Sequence, residues 1–443
     1  MSEVVAAAQQ GLAGKYKPYP EYKDSGDYWF GQLPAHWQLS KLKYVTSIYG
    51  RIGFRGYTVN DIVSEGEGAL VLSPSNVIGD VLDLERKTYL SWDKYYESPE
   101  IMVASGDILI VKTGSTFGKS ALVNSISEPS TINPQMALLK NSSLEPRFLS
   151  YLLCTKFIRA KIEVSNTGSG IPTMTQENIN SFPVPLPDTD EVTRISDFLD
   201  YETARIDRLI AQQQRLIELL KEKRQTVISH AVTKGLNPNA PMKDSGVEWL
   251  GQVPEHWSVV KLSYVLSLKS GDGITSNEIE PEGTYPVYGG NGLRGYCEQF
   301  NCNGTYALIG RQGALCGNVN VADGKFFASE HAVVVYPRIQ FDVRFLSEFL
   351  RFMDLGQYSV SAAQPGISVE RINMLSIAVP PIEEQSLIGQ RISQVELQIE
   401  RLVVKAEAGV LLLKERRTAL ISAAVTGKID LRGWIPPAEE AAA

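Results

Sequence analysis

The chain carries two copies of the same sequence block. Residues 23–45 recur at 243–265 with 14 identities in 23 positions and a constant offset of 220. A second block, residues 221–233, recurs at 414–426 with an offset of 193. A repeat of this kind means that one architecture is built twice in the same chain. We therefore expect two related halves, of which the second is 27 residues shorter between its blocks.

A long helix is predicted at the end of each half, over residues 191–235 and 383–428. Apolar residues recur there at spacings of three, four and seven, which is the pattern of a coiled-coil seam. A helix of 44 residues extends about 66 Å, so we expect the helices to pack on each other. They should be antiparallel, because a globular segment lies between them in the chain. The simpler alternative is a generic coiled-coil dimerisation arm. The residues predicted to form the interface between the helices or with a partner are Leu199, Ile206, Leu209, Leu220, Ile399, Leu402, Leu413 and Leu420, and Leu216 is a further position of the predicted seam.

The segments between the repeated blocks differ between the halves. Short apolar runs at 107–111, 306–309 and 332–336 predict buried strands, and residues 148–162 and 343–353 predict amphipathic helices. The predicted fold class is therefore α+β. It has two globular domains separated by two long antiparallel helices, with a pseudo-twofold internal repeat.

The charge and the composition limit the function classes. The 43 Lys and Arg residues against 50 Asp and Glu residues give a net charge of −7, so the chain is not a polycation. A surface that binds nucleic acid must then be a local patch or be completed by a partner. The absence of an 18-residue apolar run predicts no membrane span. Residues 1–14 lack the basic start of a secretory signal, and the four cysteines form no CxxC pair, so reduced thiols in the cytoplasm are expected.

A basic residue and a glycine turn follow a predicted strand in both halves. Lys112 precedes Gly114 and Arg311 precedes Gly313, and in each case three residues and another glycine follow. Glycine lets a backbone approach a phosphate closely, and Lys or Arg binds phosphate or the edge of guanine. These four residues are candidate DNA contacts. The alternative is a plain strand-to-strand turn with a solvated cation.

A stretch rich in glycine and aromatic residues, 285–296, is the other candidate for base recognition. Its Asn and Arg side chains offer bidentate hydrogen bonds, and its Tyr side chains offer stacking faces. Residues 50–57 are a looser analogue in the first half. A glycine-rich hairpin with surface aromatics is the alternative. The candidate DNA contacts from these stretches are Tyr288, Asn291, Arg294, Tyr296, Arg51 and Arg55.

No catalytic constellation is evident in the sequence. Residues 114–120 have three residues between the glycines, where a phosphate-binding P-loop needs four, and the matching stretch 313–318 lacks the Lys-Ser pair. His36 and His256 lie in the repeated Pro-x-His-Trp motif, and no HxxxH or cysteine cluster predicts a metal site. We predict a binding subunit rather than an enzyme, with no catalytic residue, metal or cofactor of its own.

The repeated motifs resemble the specificity subunits of type I restriction-modification systems. The resemblance rests on the Lys-Asp-Ser-Gly…Trp-x-Gly-Gln-x-Pro-x-His-Trp block, the lead Pro380–Gln385 into the second helix, the ending Ala424–Ile429 and the Tyr-Gly-Gly-Asn-Gly loop. It extends from about residue 19 to about residue 433. The first half departs from the pattern at 185–188, where Pro-Leu-Pro-Asp replaces the Pro-Pro…Glu-Gln lead.

The resemblance implies a DNA-recognition role inside a larger complex. Each of two target-recognition domains would read one half of a bipartite, asymmetric site in double-stranded DNA, and the helices would set the spacing. Two methyltransferase subunits would dock on the helices and supply S-adenosylmethionine. Restriction endonuclease subunits, where present, would supply ATP and Mg. A prokaryotic cytoplasmic, nucleoid-associated location is also implied.

Two hypotheses from other classes compete with this assignment: a coiled-coil scaffold that does not contact DNA, and a nucleotide-binding enzyme that uses Lys119.

The resemblance assigns a role to each predicted segment of the chain. The predicted segments are an N-terminal extension (1–18), recognition domain 1 (19–190), helix 1 (191–235), a linker (236–242), recognition domain 2 (243–382), helix 2 (383–428) and a C-terminal tail (429–443).

Overall fold

The computed structural model divides the chain between two units. Unit 1 contains residues 1–213 and 408–443, and unit 2 contains residues 214–407. Each unit includes a part of both long helices. The boundaries of the units therefore lie within the helices, whereas the predicted boundaries lie at the helix ends.

The structure describes residues 16–437 except 29, 52, 167–169, 314 and 360–365. Most of the predicted N-terminal extension and the last residues of the predicted tail lie outside the described residues. In the described ranges, no helix has a stretch that is both long and apolar enough to cross a lipid bilayer.

The long helices have nearly the predicted bounds. The helices are α1 Trp92–Tyr96, α2 Pro146–Leu153, α3 Lys156–Val164, α4 Gln176–Asn180, α5 Thr189–Lys234, α6 Leu262–Val265, α7 Val343–Phe352, α8 Val369–Asn373 and α9 Ile382–Val425. Short 3-10 turns occur at Leu42–Tyr44, Gly53–Arg55, Val59–Asp61, Pro74–Asn76, Pro99–Ile101, Ser276–Glu278 and Leu355–Tyr358.

The strands of unit 1 form two small pairs and two larger sheets. The larger sheets have the orders β4-β13-β10-β11-β8-β7 and β12-β6-β9-β5, and the pairs are β1-β2 and β3-β14. The strands are β1 Tyr22–Asp24, β2 Gln32–Pro34, β3 Gln38–Lys41, β4 Ser47–Tyr49, β5 Ile62–Val63, β6 Gly68–Leu72, β7 Val77–Ile78, β8 Val81–Leu82, β9 Tyr89–Ser91, β10 Ile108–Val111, β11 Ser120–Leu122, β12 Ser130–Ile132, β13 Met136–Lys140 and β14 Pro183–Leu186.

Unit 2 repeats most of these pairings. Its sheets are β15-β16, β17-β26, β18-β25-β22-β23 and β20-β19-β24-β21. The order β18-β25-β22-β23 corresponds to β4-β13-β10-β11 in unit 1. The strands are β15 Met242–Asp244, β16 Gln252–Pro254, β17 Ser258–Lys261, β18 Leu266–Ser270, β19 Tyr285–Gly289, β20 Gly292–Cys297, β21 Cys302–Asn303, β22 Tyr306–Gly310, β23 Val319–Ala322, β24 Lys325–Ala328, β25 Ala332–Pro337 and β26 Ser376–Val379.

The predicted helix over residues 148–162 is wrong in one respect, because α2 and α3 are separate helices. Thr155 lies between them with an extended backbone (φ −70°, ψ 150°). Its hydroxyl donates to the Leu152 carbonyl at 2.6 Å, which satisfies an acceptor at the end of α2. The apolar spacing continues across the break, so periodicity alone could not reveal it.

The helix seam runs along a face that differs in part from the predicted one. Leu199, Ile206, Ile399 and Leu420 are buried, and Leu220 and Leu413 are half-buried. The predicted seam positions Leu209, Leu216 and Leu402 are wrong, because these side chains are 39%, 43% and 49% exposed. A spacing of three from Ile206 leads to Leu209, and a spacing of four leads to Ile210. In the structure Ile210 lies on the packed face of the helix, where it is half-buried.

Within unit 1 the start of α5 lies beside the end of α9. Asp207 of α5 and Arg417 of α9 form an ion pair at 3.0 Å. Leu420 and Ala424 of α9 belong to the same apolar core as Phe198 and Ile206 of α5. This is the neighbour relation that antiparallel helices have.

A glutamate in the first turn of each long helix fixes the repeated His-Trp motif. In unit 1 the Glu191 carboxylate accepts hydrogen bonds from Trp37 Nε1 (2.9 Å) and Tyr19 OH and pairs with His36 Nε2 (3.0 Å). Glu191 is 4% exposed, and burial, together with the hydrogen bond to this carboxylate, raises the pKa of Tyr19. In unit 2, Glu384 makes the matching contacts with Trp257 and His256. The motif therefore ties each globular segment to the helix that follows it.

Candidate nucleic-acid interface

The predicted cation-and-glycine turns have the same backbone structure in both units. In unit 1, Gly118 N donates to Val111 O at 2.8 Å and Phe117 N to Gly114 O at 3.0 Å. In unit 2, Gly317 N donates to Gly310 O at 2.8 Å and Cys316 N to Gly313 O at 3.0 Å. Gly114 and Gly313 have φ of 112° and 94°, which a residue with a side chain rarely adopts. Both turns therefore present Lys112 and Arg311 from equivalent positions.

Lys112 is a half-buried cation. Burial lowers the pKa of its ammonium group, and among the described residues no carboxylate opposes this shift. A buried charge without a partner is costly, so an anion arriving at this position would be stabilised. Its backbone is fixed on both sides, since its N–H donates to Gln135 O and its carbonyl accepts from Met174 N, at 2.9 and 3.0 Å.

Two glutamines that sequence reasoning missed lie beside Lys112. Gln176 Nε2 and Lys112 Nζ both come within 3.3 Å of the point where a Cβ of Gly50 would lie, and Gln135 Nε2 lies 3.9 Å from the corresponding point of Gly114. Glutamine amides bind adenine through two hydrogen bonds. These residues are far from Lys112 in sequence, and no local motif marks them.

Arg311 holds the equivalent position in unit 2. It is half-buried, and its Nη1 donates to Ser270 Oγ at 3.2 Å. Its backbone carbonyl accepts from Ile367 N at 3.0 Å, as that of Lys112 does from Met174. The guanidinium retains other N–H groups that can donate to a ligand.

The glycine-rich hairpin of β19 and β20 lies against the Arg311 turn. A Cβ on Gly290 would come 3.0 Å from the Gln312 carbonyl, and one on Gly310 would come 2.1 Å from the Gly290 carbonyl. Only glycine permits this approach. The structure therefore brings together the predicted residues Tyr288, Asn291, Arg294, Arg311 and Gly313.

Within this hairpin the polar groups face solvent. Asn291 and Arg294 are exposed. Tyr288 is half-buried and packs edge-on against Phe326 at 5.6 Å, and burial raises its pKa. The amide and guanidinium groups are thus available to a ligand on the hairpin that lies against the Arg311 turn.

Tyr296 lies on the same hairpin, in strand β20. It lines a cavity of about 320 Å³ together with Glu278, Glu280, Glu282 and Glu298. These carboxylates repel phosphate, so the surroundings of Tyr296 are unfavourable for a contact with the DNA backbone.

The remaining candidates in unit 1, Arg51 and Arg55, are engaged inside the protein. Arg51 is 4% exposed, and its guanidinium donates to Ile132 O, Arg55 O and Thr131 Oγ1 at 2.9 to 3.3 Å. Arg55 pairs with Glu100 at 3.3 Å. Arg51 therefore holds the loop after β4 on strand β12 instead of presenting its charge to a ligand.

The P-loop-like stretch has the wrong surroundings for nucleotide binding. After Lys119 the chain enters strand β11, whereas a P-loop leads into a helix whose N-terminus binds phosphate. In the part of the chain that the structure describes, no cluster of His, Cys, Asp or Glu side chains is placed to hold a metal ion. All four cysteines are free thiols.

A solvent-exposed apolar surface on the long helices is also repeated. Leu209 and Leu402 occupy equivalent positions, as do Leu219 and Leu412, at the offset of 193. These leucines are 39%, 49%, 45% and 61% exposed. Leu209 and Leu412 belong to unit 1, and Leu402 and Leu219 belong to unit 2. Each unit therefore carries one leucine from each of the two equivalent positions.

A family model matches most of the chain. The model described as the type I restriction modification DNA specificity domain matches residues 78–219 and again 254–407. The two matched stretches lie in the two halves of the sequence repeat.

Curated relatives agree with this match. The EcoprrI specificity subunit of Escherichia coli is 42% identical over 134 residues, which cover 29% of this chain and 33% of that protein. The match thus spans about a third of that relative's length. The MjaVIII specificity subunit of Methanocaldococcus jannaschii is 23% identical over 365 residues, which cover 75% of this chain and 81% of the relative.

Solved structures share the fold. A chain from a structure on complex assembly and conformational transition of the type I R-M system matches with a TM-score of 0.69 and 18% identity over 90% of this chain and 99% of that chain. The HsdS subunit from Thermoanaerobacter tengcongensis matches with a TM-score of 0.55 and 18% identity over 90% of this chain and 98% of its own. At this identity the likeness concerns the fold.

Proposed function

Because the chain belongs to the family of type I restriction-modification specificity subunits, we propose that its two halves read the two parts of a bipartite, asymmetric DNA target. In this proposal the chain itself is not catalytic. The surfaces around Lys112 in unit 1 and Arg311 in unit 2 make the sequence-dependent contacts.

One observation carries the proposal. The turns after β10 and β22 have matching backbone hydrogen bonds, but they present Lys112 in one unit and Arg311 in the other. Their neighbours differ too, since Gln176 and Gln135 lie near Lys112, while the hairpin that carries Asn291 and Arg294 lies against the Arg311 turn. A common frame with different hydrogen-bonding groups suits two half-sites of different sequence.

Methylation mapping tests this function directly. Host DNA would be sequenced for methylated adenine with and without the gene for this chain, in the presence of the methyltransferase partner. We expect one bipartite motif with two unlike half-sites to lose its methylation when the gene is removed. A methylation pattern that does not depend on the gene would overturn the proposal.

Substitution of the turn cations should weaken the binding of the cognate DNA. We expect Lys112→Ala or Arg311→Ala in the assembled complex to cost about 1–3 kcal/mol, with relaxed specificity in one half-site only, if the side chain reads a base. Loss that is equal for cognate and unrelated DNA would indicate a phosphate contact instead. Titration of labelled duplexes altered in one half-site at a time measures this effect.

A matched control for these variants is Lys87→Ala. Lys87 is a surface lysine of unit 1 that pairs with Glu128 at 2.5 Å, outside the proposed reading surface. We expect its affinity and its specificity to equal those of the unmodified chain. Unchanged affinity in the Lys112→Ala and Arg311→Ala variants would remove both residues from the site.

The long helices serve in this proposal as a coiled-coil spacer and as the docking site for two methyltransferase subunits. The repeated exposed leucines support it, because a side chain that is exposed and apolar at equivalent positions of both units suits two copies of one partner. S-adenosylmethionine would be bound by those methyltransferase subunits. ATP and Mg would be bound by restriction endonuclease subunits that join the complex.

Charge placed on the repeated leucines should remove the methyltransferase subunits one at a time. We expect Leu209→Asp or Leu402→Asp to leave one methyltransferase per specificity subunit, and the double variant to leave none, because an aspartate at an apolar contact must lose its hydration. Native mass spectrometry of the mixed subunits measures the stoichiometry. The matched control is Leu397→Asp, since Leu397 is 50% exposed but its equivalent position holds Ala204. Two bound copies in the double variant would contradict the docking proposal.

A further inference from the structure

Some surface residues of the leading repeated block are identical in both halves, although nothing inside the protein requires it. Several exposed identities in this block have a role inside the protein, as His36 and His256 do in pairing with Glu191 and Glu384, and other exposed positions vary, as Gln38 and Ser258 do. Lys41 is nevertheless repeated as Lys261, and Tyr44 is repeated as Tyr264. The tyrosines are 70% and 72% exposed, and both lysines are exposed as well.

The fold explains the residues between these positions but not the exposed ones. Leu42, Val45, Leu262 and Val265 alternate with them and are buried in the apolar cores. Among the described residues, the side chains of Lys41, Lys261 and Tyr264 have no hydrogen-bond or ion-pair partner, and Tyr44 contacts only Lys43, whose ammonium lies 4.7 Å from the ring centroid. Their retention therefore points to a ligand that is the same at both units.

The backbone that carries each pair is held in place. Leu42 N donates to Phe182 O, and Leu262 N donates to Leu375 O, both at 2.8 Å. Each Lys-Tyr pair is thus presented by a short turn that is anchored at the same point in both units. A ligand that binds there pays little for ordering the backbone.

Each pair also lies close to the reading surface of its own unit. Helices α4 and α8 begin two residues after Met174 and Ile367, which donate to the carbonyls of Lys112 and Arg311. They end next to Phe182 and Leu375, which accept from the turns with the Lys-Tyr pairs. A helix of five residues rises about 7.5 Å, so the pair lies roughly one short helix from the turn cation.

We propose that Lys41 with Tyr44, and Lys261 with Tyr264, bind the phosphate backbone of DNA beside each half-site. The inference rests on the proposed function and adds to it the residues that bind the duplex independently of its base sequence. Base-reading groups must differ between unlike half-sites, whereas the sugar-phosphate backbone is the same at both. An ammonium group and a phenol hydroxyl both donate to phosphate oxygens.

A protein partner present in two copies would also be the same at both units. The chemistry favours phosphate, because these pairs offer hydrogen-bond donors and positive charge. The repeated leucines on the helices offer the apolar contact that a protein interface needs. In a chain of net charge −7, cations left unpaired beside a reading surface also supply the local attraction that DNA binding requires.

The test measures the salt dependence of DNA binding by the complex of this chain with its methyltransferase subunits. Dissociation constants for cognate and unrelated duplexes are determined between 50 and 300 mM NaCl. Each lost phosphate contact lowers the slope of log K against log salt by about 0.9. The double variant Lys41→Ala and Lys261→Ala should therefore lower the slope by about 2, with equal weakening for both duplexes.

Companion variants separate charge from packing. Lys41→Arg with Lys261→Arg should restore the slope, because the charge is retained. Tyr44→Phe with Tyr264→Phe should weaken both duplexes equally and leave the slope unchanged, because the hydroxyl carries no charge. Gln38→Ala, an exposed neighbour that is not repeated, should change neither quantity.

Other outcomes would overturn the inference. An unchanged slope in the lysine double variant, with sequence preference intact, would reject the phosphate contact and leave the proposed function standing. A loss confined to cognate DNA would reject it in favour of base contacts. Release of the methyltransferase subunits would reject it in favour of protein docking. A complex that shows no sequence-dependent binding at all would reject the proposed function, and this inference with it.

Discussion

Replacement of Glu191 by alanine is expected to destabilise unit 1 by about 3 kcal/mol, because buried donors that lose their acceptor cost about 1–3 kcal/mol each. The donors are Trp37 Nε1 and Tyr19 OH, in side chains that are 0% and 3% exposed. For a unit of this size, the loss corresponds to a fall in melting temperature of about 6–12 °C. Scanning calorimetry measures the transition, and hydrogen exchange of peptides over residues 30–45 assigns it to unit 1.

The repeat supplies the control for this variant. Glu384 makes the corresponding contacts in unit 2, but its side chain is 24% exposed and its partner His256 is 50% exposed. Water can replace much of what Glu384→Ala removes, so we expect a loss of about 1 kcal/mol. Glu191→Gln keeps one acceptor oxygen and the side-chain volume, and should fall between the two alanine variants. Equal shifts in the Glu191→Ala and Glu384→Ala variants would contradict the view that burial sets the difference.

The architecture was largely predictable because the repeat and the helical periodicity are long-range patterns. Strands β10, β22 and β25 were found as short apolar runs and have nearly the predicted bounds. The errors are local. The break at Thr155 depends on a side-chain hydrogen bond that leaves no trace in the apolar spacing. The choice of Ile210 over Leu209 for the seam depends on which helix face meets its neighbours, and three- and four-residue spacings permit either.

The candidate site was predictable only where its residues lie close together in the sequence. The turns with Lys112 and Arg311 were found because a cation and two glycines at fixed spacing occur in both halves. Gln176 was not found, since it reaches Lys112 from another element through the fold. The glycine-rich surroundings of Arg51 predict a DNA contact, but its guanidinium is buried because it donates to residues of the neighbouring strand β12. The sequence already shows that Lys41 and Tyr44 are repeated in the second half. Only the structure shows that they are exposed while the neighbouring residues Leu42 and Val45 are buried.

Insertion of residues into the long helices is expected to change the recognised DNA sequence itself. Helix α5 passes from unit 1 to unit 2 after Gln213, and α9 passes back after Glu407. Four residues added at both points lengthen each helix by about 6 Å and slightly more than one turn. At roughly 3.4 Å per base pair, we expect the new target to have a spacer longer by one or two base pairs.

If the target is bipartite as proposed, the original target should then be methylated about thirtyfold to several thousandfold less, because only one half-site can be engaged at a time and each supplies about half of the roughly 4–10 kcal/mol that specific contacts add to non-specific binding. Sequencing of methylated DNA from cells that carry the variant reports the old and the new motif together. The combined substitutions Gln212→Ala, Gln213→Ala and Gln214→Ala change the same stretch without changing its length, and should leave the motif as it was. A seven-residue insertion keeps the heptad register and should lengthen the spacer by about three base pairs. If the half-sites keep their spacing in both insertion variants, the helices do not set the distance between them, and the spacing must be fixed by the partner subunits.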